Sequence, residues 1–127
     1  MAYVYYNPNP YRLSTEDCTV RAVSAVLRVS WENAFDLLAD TAKEMGLMPS
    51  NRVVTWALLK MYGFHREALP DHCPDCYTVS DFARDHPRGV YVCATSDHVI
   101  AIVGGDWHDA WNSGDEVPLF YWQKMIK

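Results

Sequence analysis

The chain has 127 residues, half of them hydrophobic and 13% aromatic, with a formal net charge of −5. This is globular rather than disordered composition, and the length fits one domain over residues 1–127 whose core needs no disulfides. No stripe of Lys and Arg is present, which excludes nucleic acid as the main partner, and no apolar run approaches the roughly 18 residues of a membrane span.

From the N-terminus, residues 1–13 are rich in Tyr, Pro and Asn. The Asn-Pro-Asn-Pro stretch at 7–10 biases the chain away from the α region and reads as an extended arm or loop. No basic region followed by an apolar stretch precedes it, so a cytoplasmic location is expected. A helix is predicted from near Ser14, capped by Ser14 or Thr15, with Val20, Val23, Val26 and Leu27 on one face. A second helix is predicted from Ser30 to Glu44 and ended by Gly46, and a third over Asn51–Tyr62 with Val54, Leu58 and Met61 buried. Residues 64–76 read as irregular. A short helix near Val79–Arg84 follows, capped by Thr78 or Ser80, and His86–Gly89 is a turn.

The pattern then changes to strands. Val90–Ala94 and His98–Val103 are apolar runs, and Gly104-Gly105-Asp106 predicts a tight hairpin returning as a third strand over Trp107–Trp111. Leu119–Trp122 is a fourth. Helices first and antiparallel strands after give an α+β fold, with N-terminal helices on a C-terminal antiparallel sheet.

Four cysteines occur, at 18, 73, 76 and 93. In a reducing compartment they are expected as thiols. Cys18 falls in the first turn of a helix, where the partial positive charge of the helix end favours thiolate. Glu16 and Asp17 oppose that, so a cationic partner is required. His98, entering a very apolar strand, is the candidate. With the hairpin centred near Gly105, residues 111–113 return opposite 98–99, and this register favours Asn112 as the group orienting the imidazole. Asp109, placed opposite about residue 102, is the alternative orienter. Together these residues follow the logic of nucleophile, base and orienter.

These segments resemble papain-like cysteine peptidases. Asp17-Cys18-Thr19-Val20-Arg21-Ala22 looks like the nucleophile helix, closest to the bacteriocin-leader-processing branch. His98–Gly104 is similar to the His strand, and Asn112-Ser113-Gly114 to the Asn-Ser-Trp-Gly segment. The whole chain is also similar to small bacterial and phage proteins with an Asn-Pro arm and an Asp-Cys-x-x-Arg-Ala helix. The resemblance implies a papain-like fold and a cysteine hydrolase cleaving a peptide or amide bond. It also implies catalytic Cys18, His98 and Asn112 (or Asp109), no cofactor, a peptide or protein partner, and a bacterial or phage-infected cytoplasm. The Cys-to-His separation of 80 residues is shorter than in papain, and Arg12 stands where papain-like enzymes have the Gln that serves the oxyanion. Arg12, Asn9 or Asn7 is expected to replace it from the N-terminal arm.

Alternatives remain open. A catalytically inactive papain-like domain could bind a peptide or protein partner in the same cleft. His72-Cys73-Pro74-Asp75-Cys76, with His65, could hold zinc in an interaction domain, although a turn stapled by local packing is the preferred reading. Trp107 and Trp122 are expected in the core, and Trp111 beside the site. Arg21 is expected to anchor Asp17 or a loop carboxylate.

Overall fold

The structure is a computed structural model, described over residues 1–70 and 76–125. Among the described residues it contains four helices and a six-stranded sheet, an α+β arrangement. The helices are α1 (Cys18–Leu27), α2 (Trp31–Met45), α3 (Arg52–Met61) and α4 (Val79–Asp85). The strands are β1 (Tyr3–Tyr5), β2 (Phe64–Ala68), β3 (Val90–Ala94), β4 (Val99–Val103), β5 (Asp106–Asp109) and β6 (Phe120–Lys124). Their spatial order is β1-β5-β4-β3-β6-β2. No helix among the described residues is long and apolar enough to cross a membrane.

Side-chain caps define three helix starts. Ser30, Asn51 and Thr78 each accept a hydrogen bond from a first-turn backbone N–H, and Asp81 returns the bond to Thr78 in a capping box. Helix α1 differs from expectation. It begins at Cys18 rather than near Ser14, and its N-cap, Asp17, makes no side-chain cap bond. The carboxylate of Asp17 is instead drawn to Arg21 and Trp31, which leaves the first-turn N–H groups uncapped by any side chain.

The strands of the sheet's centre are apolar along their whole length because both faces are covered. Val92, Ala94, Val99 and Ala101 pack with Ala22 and Val26 of α1. On the other face, Tyr91, Cys93, Ile100 and Ile102 pack with Val79 and Phe82 of α4. A further core, built from Val20, Val23, Leu38, Val54 and Leu58, joins the first three helices. Trp107 and Trp122 are buried as expected. Met61, expected in the core, is 67% exposed: it is the last residue of α3, and the buried face of that helix runs through Val54, Thr55, Leu58 and Leu59.

Three further expectations are corrected. The N-terminal arm contributes β1, which pairs parallel to β5, so the sheet is mixed rather than purely antiparallel. Residues 64–68, read as irregular, form edge strand β2 against β6; only Phe64 is buried, so no alternating pattern marks it. Cys76 is disulfide-bonded where a thiol was expected. Cys73, and with it His72 of the zinc reading, lies outside the described residues. His65 of the same reading pairs with Glu67 at 2.8 Å.

The β4–β5 hairpin fixes the register that matters for the site. Val103 pairs with Asp106, Ile102 with Trp107 and Ala101 with His108. Gly104 and Gly105 make the two-residue turn, both at positive φ (60° and 80°). A Cβ at Gly105 would stand 3.1 Å from the Pro87 Cα, whereas nothing lies within 4 Å of one at Gly104. Gly105→Ala is therefore expected to destabilise the fold by about 1–3 kcal/mol, and Gly104→Asn by less than about 1 kcal/mol. Urea unfolding of the two variants checks this, and equal losses would be inconsistent with it.

Candidate active site

Cys18 and His98 come together. Cys18 opens α1, which lies across β4, and His98 precedes the first residue of that strand. The Thr95-Ser96-Asp97 turn sets the histidine, with the Thr95 N–H bonding the His98 carbonyl at 2.8 Å. The thiol lies beside the imidazole and close to the Val99 N–H, and both favour its charged form. The other side of the ring is committed: His98 Nε2 lies 2.7 Å from Asp109 Oδ2. This leaves Nδ1 to face the thiol.

Asp109, not Asn112, is thus the partner of His98. The observed register, continued by one residue, sets Asp109 level with Ile100 rather than Ile102, close enough to reach back to the histidine. Asn112 does different work. Its Oδ1 accepts from Trp107 Nε1 at 2.9 Å and from the Gly114 N–H at 3.1 Å, which folds the turn after β5.

The Asp109 carboxylate is fully buried and saturated with donors. Oδ1 accepts from Arg21 Nε (3.1 Å) and the Ala110 N–H (2.8 Å), with Arg21 Nη2 at 3.0 Å. Oδ2 accepts from Ser113 Oγ at 2.6 Å as well as binding His98. Arg21 also holds Asp17 at 2.8 Å, and Trp31 Nε1 donates to the second oxygen of Asp17 at 2.9 Å. The expectation that Arg21 anchors Asp17 or another carboxylate holds for both. Ser113 and Trp31 were not singled out in the sequence for these bonds; Ser113 stood inside the Asn112-Ser113-Gly114 segment, where the resemblance placed the weight on Asn112.

Electrostatics follow from this wiring. Burial alone would lower the His98 pKa, but the hydrogen bonds to Asp109 and Cys18 and the charges of both outweigh it and raise it to about 9. Burial would raise Cys18, yet the His98 hydrogen bond, the Val99 N–H and the charges of His98 and Arg21 hold it below the ordinary thiol value. Asp109 is held below the usual carboxylate range: burial opposes this, while bonds from His98 and Ser113 and the charges of His98 and Arg21 prevail. Cys93, by contrast, is fully buried and its pKa is pushed upward by burial alone.

Two cavities meet at the Cys18–His98 pair. One, of ≈ 480 Å³, adds Thr19, Ser50, Arg52 and Val99; the other, of ≈ 200 Å³, adds Ser14, Thr15, Ala110 and Trp111. Glu16 and Asp97 border both. Trp111, expected beside the site, lines the smaller cavity and stacks on His98 with centroids 5.1 Å apart. Arg12 and Asn9, the expected oxyanion donors, line neither cavity. Asn9 is buried in the arm, where its Oδ1 accepts from the Tyr11 N–H, and Asn7 Nδ2 donates to the Leu13 carbonyl. Arg12, exposed at φ 55°, turns the chain there. No cluster of three or more His, Cys, Asp or Glu able to hold a metal ion occurs among the described residues.

Such an arrangement can deprotonate a thiol and hold the resulting imidazolium. No protein-family model matches the chain, and no curated protein or solved structure matches it significantly.

Asp109→Asn keeps the shape of the side chain and removes its charge. Imidazolium is then less stable, His98 loses its proton at lower pH, and the thiolate loses its counter-ion. The midpoint of Cys18 alkylation by iodoacetamide should rise by at least about 1 pH unit. Asn112→Ala should leave that midpoint unchanged while lowering stability by about 1–2 kcal/mol. The reverse pattern would return the orienting role to Asn112.

Proposed function

We propose that the protein is a papain-like cysteine hydrolase acting on a peptide or amide bond, with Cys18 as nucleophile, His98 as acid–base and Asp109 as orienter. The observation that carries this reading is the juxtaposition of Cys18 with His98, whose ring is hydrogen-bonded to the buried Asp109, where two cavities are lined by both Cys18 and His98. The order Cys then His along the chain agrees with the resemblance of the first two sequence segments, while the third supplies Ser113 to Asp109 rather than the orienter itself.

The chemistry runs through the groups present. The Cys18 thiolate, paired with imidazolium, attacks the acyl carbon. The carbonyl oxygen becomes an oxyanion, for which we assign the Cys18 backbone N–H, in a first turn with no side-chain cap. His98 delivers its proton from Nδ1 to the leaving amine as the tetrahedral intermediate collapses to a thioester. A water molecule, deprotonated by His98, then attacks the thioester, releasing the acyl group as a carboxylic acid and restoring the thiolate–imidazolium pair.

A second reading, a silent domain that binds a peptide in the same cleft, draws support from one observation: neither Arg12 nor Asn9 reaches the site, so the side-chain donor expected from the arm is missing there. The two readings part on reactivity. An active pair gives fast, site-selective alkylation of Cys18 near neutral pH, whereas a silent domain alkylates slowly at all accessible thiols.

On a panel of fluorogenic peptide amides, Cys18→Ala and His98→Ala should each lower turnover at least ~10³-fold. The ion pair is complete above the lowered Cys18 pKa and below the His98 value of about 9, so turnover should fall as pH rises through about 9. Full hydrolysis by Cys18→Ala would end the assignment.

A further inference from the structure

Ser113 occupies a place that the proposed mechanism does not use. Its side chain is fully buried, and its hydroxyl donates to the same Asp109 oxygen that binds His98 Nε2, at 2.6 Å against 2.7 Å. Several bonds fix that position. The Ser113 carbonyl accepts from the Glu116 N–H, and the Gly114 carbonyl accepts from the Ser80 N–H at the start of α4. Asn112 closes the turn from the other side through Trp107 and the Gly114 N–H. Gly114 is required there, since a Cβ would stand 2.7 Å from the Trp107 ring.

We propose that Ser113 is a positioning residue that sets the strength of the His98 base by competing with the imidazole for one oxygen of Asp109. This rests on the reading of Cys18 and His98 as a reactive pair. A donor on Oδ2 withdraws charge from the oxygen that holds the imidazolium and weakens its grip. With the hydroxyl in place, His98 keeps its proton less tightly and remains able to give it up. Without it, Asp109 would hold the imidazolium more firmly, the thiolate would persist to lower pH, and proton delivery would weaken.

The charged and titratable groups around this pair come from every element packed on it. Cys18 and Arg21 belong to α1 and Asp17 precedes it; Asp109 ends β5; Tyr3 of β1 sets its hydroxyl on the Asp109 carbonyl; Asp97 and Glu16 border the cavities at the ring. Removing the Ser113 hydroxyl changes none of their charges. Its effect therefore has a sign that loosened packing does not share. Loosening would return both groups toward their ordinary values, with Cys18 up and His98 down. Loss of a competing donor moves Cys18 down and His98 up.

The test is Ser113→Ala, with Ser113→Thr as the variant that retains the hydroxyl. Site-resolved iodoacetamide alkylation follows Cys18 against pH, and NMR titration of the His98 ring follows the base. In Ser113→Ala the Cys18 midpoint should fall by roughly 0.5–1 pH unit and the His98 midpoint should rise by a similar amount. Ser113→Thr should stay near the wild-type values. Unchanged midpoints, movement of both toward ordinary values, the same shift in Ala and Thr, or a Ser113→Ala chain that does not fold would each overturn the proposal. Failure of the underlying reading is distinct: wild-type Cys18 would then alkylate no faster than an ordinary exposed thiol.

Discussion

A carboxylate sealed away from water must find all its hydrogen bonds within the protein, and the burial of Asp109 imposes this demand on three separate segments. Arg21 comes from α1, His98 from the entrance to β4, and both the Ala110 N–H and Ser113 from the turn directly after β5. Strand β1 and the residue after it clamp the backbone of Asp109 as well, with the Tyr6 N–H at 2.8 Å and the Tyr3 hydroxyl at 3.1 Å from the Asp109 carbonyl. Charge also has to balance. Asp17 and Asp109 bring two negative charges and Arg21 one positive, so an imidazolium at His98 completes neutrality among the buried groups. The protonated base is thus favoured by the surroundings of Asp109 as well as by the neighbouring sulfur.

Much of this was legible in the sequence where the signal is local. Ser30, Asn51 and Thr78 cap their helices through atoms two or three residues away, and the paired glycines of the β4–β5 turn require their own φ values. Cys18 and His98 stood out for similar reasons, one at a helix start and one entering an apolar strand. What escaped is non-local. Strand β1 exists because its backbone finds β5 about a hundred residues on, and β2 because β6 lies beside it. Neither carries an alternating pattern of its own.

The identity of the orienter shows how narrow the margin is. A hairpin register off by two residues was enough to favour Asn112 over Asp109, because it moved Asp109 from beside Ile100 to beside Ile102. The ion pair from Arg21 to Asp109 spans 88 residues and has no sequence signature. The resemblance compounded the effect, since its motif emphasised Asn112, a residue that here shapes the turn carrying Ser113.

The position of β4 in the sheet has a dynamic consequence. It is flanked by β5 on one side and β3 on the other, and α1 lies across it. Fraying at the β2 edge can proceed without disturbing the thiol, the imidazole or the carboxylate, whereas opening β4 breaks the sheet in two. Amide exchange should therefore be slowest through this strand, and the site should persist through openings confined to the β2 edge, whereas release of β1 would free the Asp109 backbone. Reactivity at the sulfur is then blind to breathing at the β2 edge and reports the β1 edge and the sheet's centre instead.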